Sequence, residues 1–212
     1  MHEAEADDRH DRRAVPAPLV VQTSIAMPPS SVELVTVGHG TLSHDDLAAL
    51  LCEAAVGSLV DIRTAPGSRR HPHVGRAELE VWVPAVGIGY HWEQRLGGFR
   101  KALPGSLNMA LRHPSFRGYA DFMRTPPFWG ALDEVLATAA SKRTAVMCSE
   151  TLWWRCHRRL LADAAVLARG VDVRHLGHDG RLSEHRITEG ARLGDDGLPI
   201  YDVGETVWLP GV

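Results

Sequence analysis

Cysteine is scarce: Cys52, Cys148 and Cys156 are the only three in 212 residues. That excludes a disulfide scaffold and suits a reducing cytosol, so a cytoplasmic location is expected. No apolar run approaches the roughly 20 residues that span a bilayer, and no membrane partner is expected. The N-terminus lacks the basic start and apolar stretch of a secretory signal. GxGxxG and GxxxxGK are both missing, so no nucleotide cofactor is indicated and the cofactor is left unassigned. Ser43 stands outside any nucleophile-elbow context. The formal net charge of −3 argues against a protein that coats nucleic acid nonspecifically, while leaving room for a local basic patch. No internal repeat is visible.

What is there alternates. Residues 32–38 are apolar and end at Gly38-His39-Gly40, a strand running into a turn. Ser43 and Asp46 are spaced as an N-cap and its partner, with Leu47, Leu50 and Leu51 on one helical face before Gly57. Cys52 sits in that helix as a small core or flank residue. Residues 58–63 and 87–93 read as strands, and 76–83 as a helix that Pro84 ends or kinks. A polar connection fills 96–118. Helices follow at 119–123 and 128–140, then a strand at 144–147, a helix to 168 stopped by Gly170, and a strand at 171–176. This pattern predicts a single α/β domain over residues 32–177, a mostly parallel sheet of about five strands with helices on both faces. Residues 1–31, His-rich and then Pro-rich, read as a disordered leader. Residues 178–212 read as an extension folding back on the domain through Ile200, Val207 and Trp208.

In such sheets ligands sit outside the C-terminal strand ends. His39, Asp61, Arg63, Glu93, Cys148 and Glu150 all fall there. Beside them, residues 144–160 pass from an apolar strand through Trp153 and Trp154 into Arg155-Cys156-His157-Arg158 at a helix start. Free N–H groups of a first helical turn attract anions and favour thiolate over thiol. Arg63, Arg69, Arg70, Arg100, Arg117, Arg155 and Arg158 lie in loops or helix starts on the same side, as a clamp for phosphate or carboxylate. Trp153 or Trp154 is placed to stack a planar group.

The expectation is an enzyme acting on an anionic, phosphate-bearing substrate, either a nucleotide or a nucleic-acid fragment. Glu150 or Cys148 carries the chemistry, Cys156 and His157 assist, and Glu93 and Glu150 are the acid–base candidates. Two other classes stay open: a non-catalytic module binding an anion or nucleic-acid end, and a thiol or metal sensor. A metal site is disfavoured because the spacing matches no zinc-knuckle pattern and cations crowd it.

Certain of these residues resemble a known family. Thr36-Val-Gly-His39, Val60-Asp61-Ile-Arg63 with Pro66 and Ser68-Arg69-Arg70, Tyr90, and Leu96-Gly97-Gly98 are similar to the bacterial domain of unknown function 488 family. So are Phe116-Arg117-Gly118-Tyr119-Ala120-Asp121 with Met123, Met147-Cys148-x-Glu150, and Cys156-His157-Arg158. The resemblance spans residues 34–176, with Trp153-Trp154 and the loop before Asn108 as local departures. It implies the α/β fold and this choice of site residues, and carries little about reaction class. It also implies a tail histidine, His185, closing over the site.

Overall fold

The computed structural model describes residues 32–202. The leader, Val207 and Trp208 lie outside them. A six-stranded sheet has the order β3-β2-β4-β1-β5-β6. β1 (Glu33–Gly38), β2 (Ser58–Asp61), β3 (Gly89–Trp92), β4 (Thr144–Cys148) and β5 (Asp172–Leu176) are parallel, as the alternating pattern requires. A sixth strand, β6 (Leu182–Glu184), from the tail, is added antiparallel to β5. The tail also forms a separate two-stranded hairpin, β7 (Ala191–Leu193) with β8 (Pro199–Tyr201).

The strand order dictates where the helices go. The chain steps from β1 past β4 to β2 and then to β3, and these steps carry α1 (His44–Glu53) and α2 (Arg76–Ala85). The return to β4 carries α3 (Pro114–Met123) and α4 (Pro126–Ala139), and the step over β1 to β5 carries α5 (Arg158–Arg169). With right-handed crossovers, opposite directions of travel put the two groups on opposite faces. Alternate side chains of each strand then feed alternate cores. Val35, Val37, Leu59 and Met147 pack with Leu47, Leu51, Leu79 and Val83. Leu34, Val60, Ile62 and Val146 pack with Tyr119, Phe128, Leu132 and Leu161.

Local signals explain most boundaries. The Ser43 hydroxyl accepts the Asp46 N–H at 3.1 Å and starts α1. Gly170, at φ 63°, takes the left-handed conformation that stops α5. The expected helix at 119–123 is corrected: it begins at Pro114, whose fixed φ suits a first helical position, with His113 Nδ1 accepting the Ser115 N–H. The loop before it is tied down by buried Asp121, which accepts Leu103 N–H, Ser106 Oγ–H and Asn108 Nδ2–H at 2.9, 2.6 and 2.8 Å. Asn108 Oδ1 in turn accepts the Tyr201 N–H, fastening the tail hairpin to the same loop. Among the described residues no helix is long and apolar enough to cross a membrane.

Candidate functional site

β1, β2 and β4 end side by side. Because β4 runs between β1 and β2, Gly38, Asp61 and Cys148 come within one strand spacing of a neighbour, and the loops beyond them meet. Here a cavity of about 630 Å³ opens, lined by Arg63, Cys148, Glu150, Trp154, Arg155, Cys156 and His157 among others.

At its base lie two thiols and an imidazole. The sulfurs of Cys148 and Cys156 and a ring nitrogen of His157 are within 4.8 Å of one another. His157 Nδ1 is 3.8 Å from Cys148 Sγ and 3.6 Å from Cys156 Sγ. All three cysteines are free. The two neighbouring sulfurs split their acidity. Cys148 is pushed well up, first by the interaction with Cys156 and then by burial. Cys156 is held well down, first by the interaction with Cys148, with further help from His157 and Arg158 against the effect of burial. His157, the N-cap of α5, makes no side-chain cap bond, so the N-terminal field of the helix acts on the adjacent sulfur. The tautomer that serves the thiolate is the one in which Nδ1–H donates to Cys156. Nε2 is then buried without a protein partner.

His157 is held in this pose from below. A methyl at Gly98 would stand 2.5 Å from His157 Nδ1 and 2.7 Å from Cγ, so only glycine admits the ring. Gly98→Ala is expected to tilt the imidazole off the sulfurs and slow alkylation of Cys156 about tenfold, at roughly 1–3 kcal/mol in stability. Gly130→Ala, whose Cβ would meet nothing within 4 Å, is the control. Equal labelling rates in both would dismiss the steric role of Gly98.

Beside the thiols stands a buried ion pair. Asp61 accepts from Arg63 Nε at 2.8 Å, Nη2 at 2.5 Å and N at 3.0 Å, and from the Tyr90 hydroxyl at 3.1 Å. Arg63 Nη1 donates to His39 Nε2 at 3.2 Å, while His39 Nδ1–H donates to the Gly40 carbonyl. The arginine thus fixes the neutral tautomer of His39. Burial, then Arg63, lowers its pKa from 6.5 to about 4. The unfolded chain therefore takes up a proton between pH 6.5 and about 4 that the folded chain refuses, so stability falls as pH drops through that window. His175, lowered to about 3 by burial and then His185, acts with the same sign. Urea midpoints from pH 7 to 4.5 should fall less steeply in His39→Gln, and identical slopes would contradict the assignment.

The remaining expected site residues are dispersed. Glu93 is absent from the cavity wall: burial opposes its ionisation, but Arg95, at 2.6–3.0 Å, outweighs this and holds it below the usual range. Arg158 is buried, its guanidinium turned to the Glu150 and Thr151 carbonyls and to Thr36 Oγ1. Arg100 lies over the Phe122 ring and Arg117 approaches Met109. Arg69 and Arg70 are exposed away from the cavity wall. Of the expected arginine clamp, the cavity wall holds Arg63, already neutralised by Asp61, and exposed Arg155.

The tryptophans divide. Trp154 faces the cavity, while Trp153 stacks on His175 at 4.0 Å and 7°. Behind it runs a chain of bonds: Thr36 Oγ1 to His175 Nδ1 (2.7 Å), His175 Nε2 to His185 Nδ1 (3.0 Å), His185 Nε2 to Asp163 (2.8 Å), and Tyr201 to Asp163 (2.9 Å). His185 therefore sits behind Trp153 and lines no part of the thiol cavity. Thr36, His175 and Asp163 carried no signal in the sequence beyond being polar residues at buried periodic positions.

The Cys148, Cys156 and His157 trio is also the set among the described residues that offers metal ligands. Its N···S distances of 3.6 and 3.8 Å lie at and just beyond the roughly 3.5–3.7 Å edges of a tetrahedral site with Zn–S near 2.3 Å and Zn–N near 2.0 Å. A family model described as "Domain of unknown function DUF488" matches residues 43–165. No curated protein and no solved structure matches the chain.

Proposed function

The chain belongs to the family of the domain of unknown function DUF488, and from that premise we propose a thiol-dependent enzyme acting on an anionic, phosphate-bearing substrate with a planar group. The observation that carries this reading is the Cys148–Cys156 pair beside His157 in the wall of an open cavity, with Cys156 held well below the usual thiol range. Thiolate is the nucleophilic form, and a neighbouring proton donor suits covalent catalysis. Cys156 Sγ bonds to the electrophilic centre of the substrate. The bond to the leaving group breaks, and the Cys148 S–H supplies the leaving group's proton. Water then attacks the covalent adduct, its hydroxyl leaving with the product and its proton returning to Cys148, and the S–substrate bond breaks to restore the Cys156 thiolate. Arg155 and the uncapped start of α5 attract the anion, and Trp154 stacks the planar part.

The trio's ligand spacing favours a second reading, a soft-metal centre that senses rather than turns over. One experiment separates them. Purified protein is titrated with Zn²⁺ and Co²⁺ while Cys156 is alkylated with iodoacetamide and located by mass spectrometry. Rapid labelling at neutral pH without tight metal binding supports the nucleophile. Stoichiometric metal that resists chelation and blocks labelling supports the sensor.

A further inference from the structure

A second hollow of about 900 Å³ adjoins the thiol cavity. His113, Phe116 and Trp154 line both, so the two hollows adjoin along a groove with Trp154 between them. Each volume falls within the ~300–1,000 Å³ of pockets that hold whole small molecules, so together they exceed the needs of one compact ligand. Arg112, Arg159 and Arg186 line the second hollow. Among the described residues no carboxylate pairs with Arg112, Arg155 or Arg186. Arg159 lies 4.9 Å over the Phe116 ring with its Nε buried and unpartnered. Of the two carboxylates there, Asp202 is already bound by Arg192 at 2.5 and 2.8 Å, leaving Glu189.

Trp154 is 49% exposed, yet it is braced. Its ring meets Trp153 edge-on at 5.6 Å, and Trp153 is clamped flat on His175. An exposed aromatic face held rigid between unpaired guanidinium groups is what successive bases and phosphates of a single strand require. A duplex hides its base faces, and an acidic peptide would engage the arginines but leave the indole unfilled.

We infer that this groove is the track of a single-stranded nucleic acid, with the backbone on Arg112, Arg159 and Arg186, a base on Trp154, and the next nucleotide entering the thiol cavity. The inference rests on the reading that the thiol cavity receives the reacting part of an anionic substrate, and it extends that substrate to an oligomer.

The test is fluorescence anisotropy of the full chain with fluorescein-labelled dT10, U10 and dT2. At low salt the ten-mers should bind at least about tenfold more tightly than dT2, since they add phosphate and stacking contacts. The preferred ten-mer reports the sugar. Arg112→Ala/Arg186→Ala, both exposed positions, should lose about tenfold in affinity and lower the log–log salt slope by roughly 1.4. Trp154→Ala should lose about fivefold or more. Equal affinity for dT2 and dT10, no binding by either ten-mer, unchanged affinity in the arginine variant, or equal competition by poly-glutamate would each overturn the inference. Labelling of Cys156 is read on the same preparation without oligomer. An inert thiol and an empty groove are therefore separate results.

Discussion

Cys156→Ser should abolish covalent labelling at position 156 and reduce any turnover by ~10³-fold or more, the scale on which a nucleophile's loss is felt. The wild-type labelling rate should fall less than a free thiol's as pH drops from 8 to below 7, because Cys148, His157 and Arg158 hold Cys156 below the usual thiol range. In Cys148→Ser a hydroxyl replaces the neighbouring S–H and the thiol pair is broken. The pH profile should then move while the protein stays folded, since serine keeps a donor at that place. Cys52, exposed on α1, is replaced by serine throughout so that one reactive position is read. A Cys156 rate that climbs with pH as a free thiol's does would remove the nucleophile from the proposal, whatever the stability of the variants.

Asp61→Ala should lower the unfolding free energy by about 3–5 kcal/mol, the range for breaking a buried ion pair by removing one partner. Asp61 is fully buried and Arg63 is 5% exposed, so the guanidinium left behind keeps only the Val74 carbonyl and His39. The Tyr90 hydroxyl and the Arg63 N–H lose their acceptor as well. Against a total stability of about 5–15 kcal/mol this is a large fraction, readable in urea denaturation. Asp61→Leu/Arg63→Met should recover most of the loss, because an apolar pair of similar volume carries no desolvation penalty. A loss under 1 kcal/mol for Asp61→Ala would mean that Arg63 regains water through the cavity.

The buried ion pair also explains why these arginines do not act as one clamp. Arg63 and Arg158 look alike along the chain, each near a strand end or helix start. Packing decides which group each turns to. Arg63 folds back on the buried carboxylate two residues before it, and Arg158 reaches the carbonyls that the turn after β4 points inward. Arg112, Arg159 and Arg186 lie on separate segments of the chain, and only the returning tail brings Arg186 into the same hollow as the other two.

The order of strands and helices, the Ser43 cap, the Gly170 stop, and the convergence of Cys148, Glu150, Cys156 and His157 were all determined by the sequence itself. Periodicity and turn residues act over a few positions, and these four residues lie within ten of one another. The tertiary structure alone decided that Cys156 is the acidic thiol, that Trp154 and not Trp153 faces the cavity, and that Glu93 serves Arg95. It also decided that His185 lies behind the site. Each of these depends on the burial that packing of distant segments creates, even where the partners, such as Glu93 and Arg95, lie close in the chain. Burial and pairing, which set the charge on a thiol or the freedom of an arginine, arise only when the sheet brings those segments together.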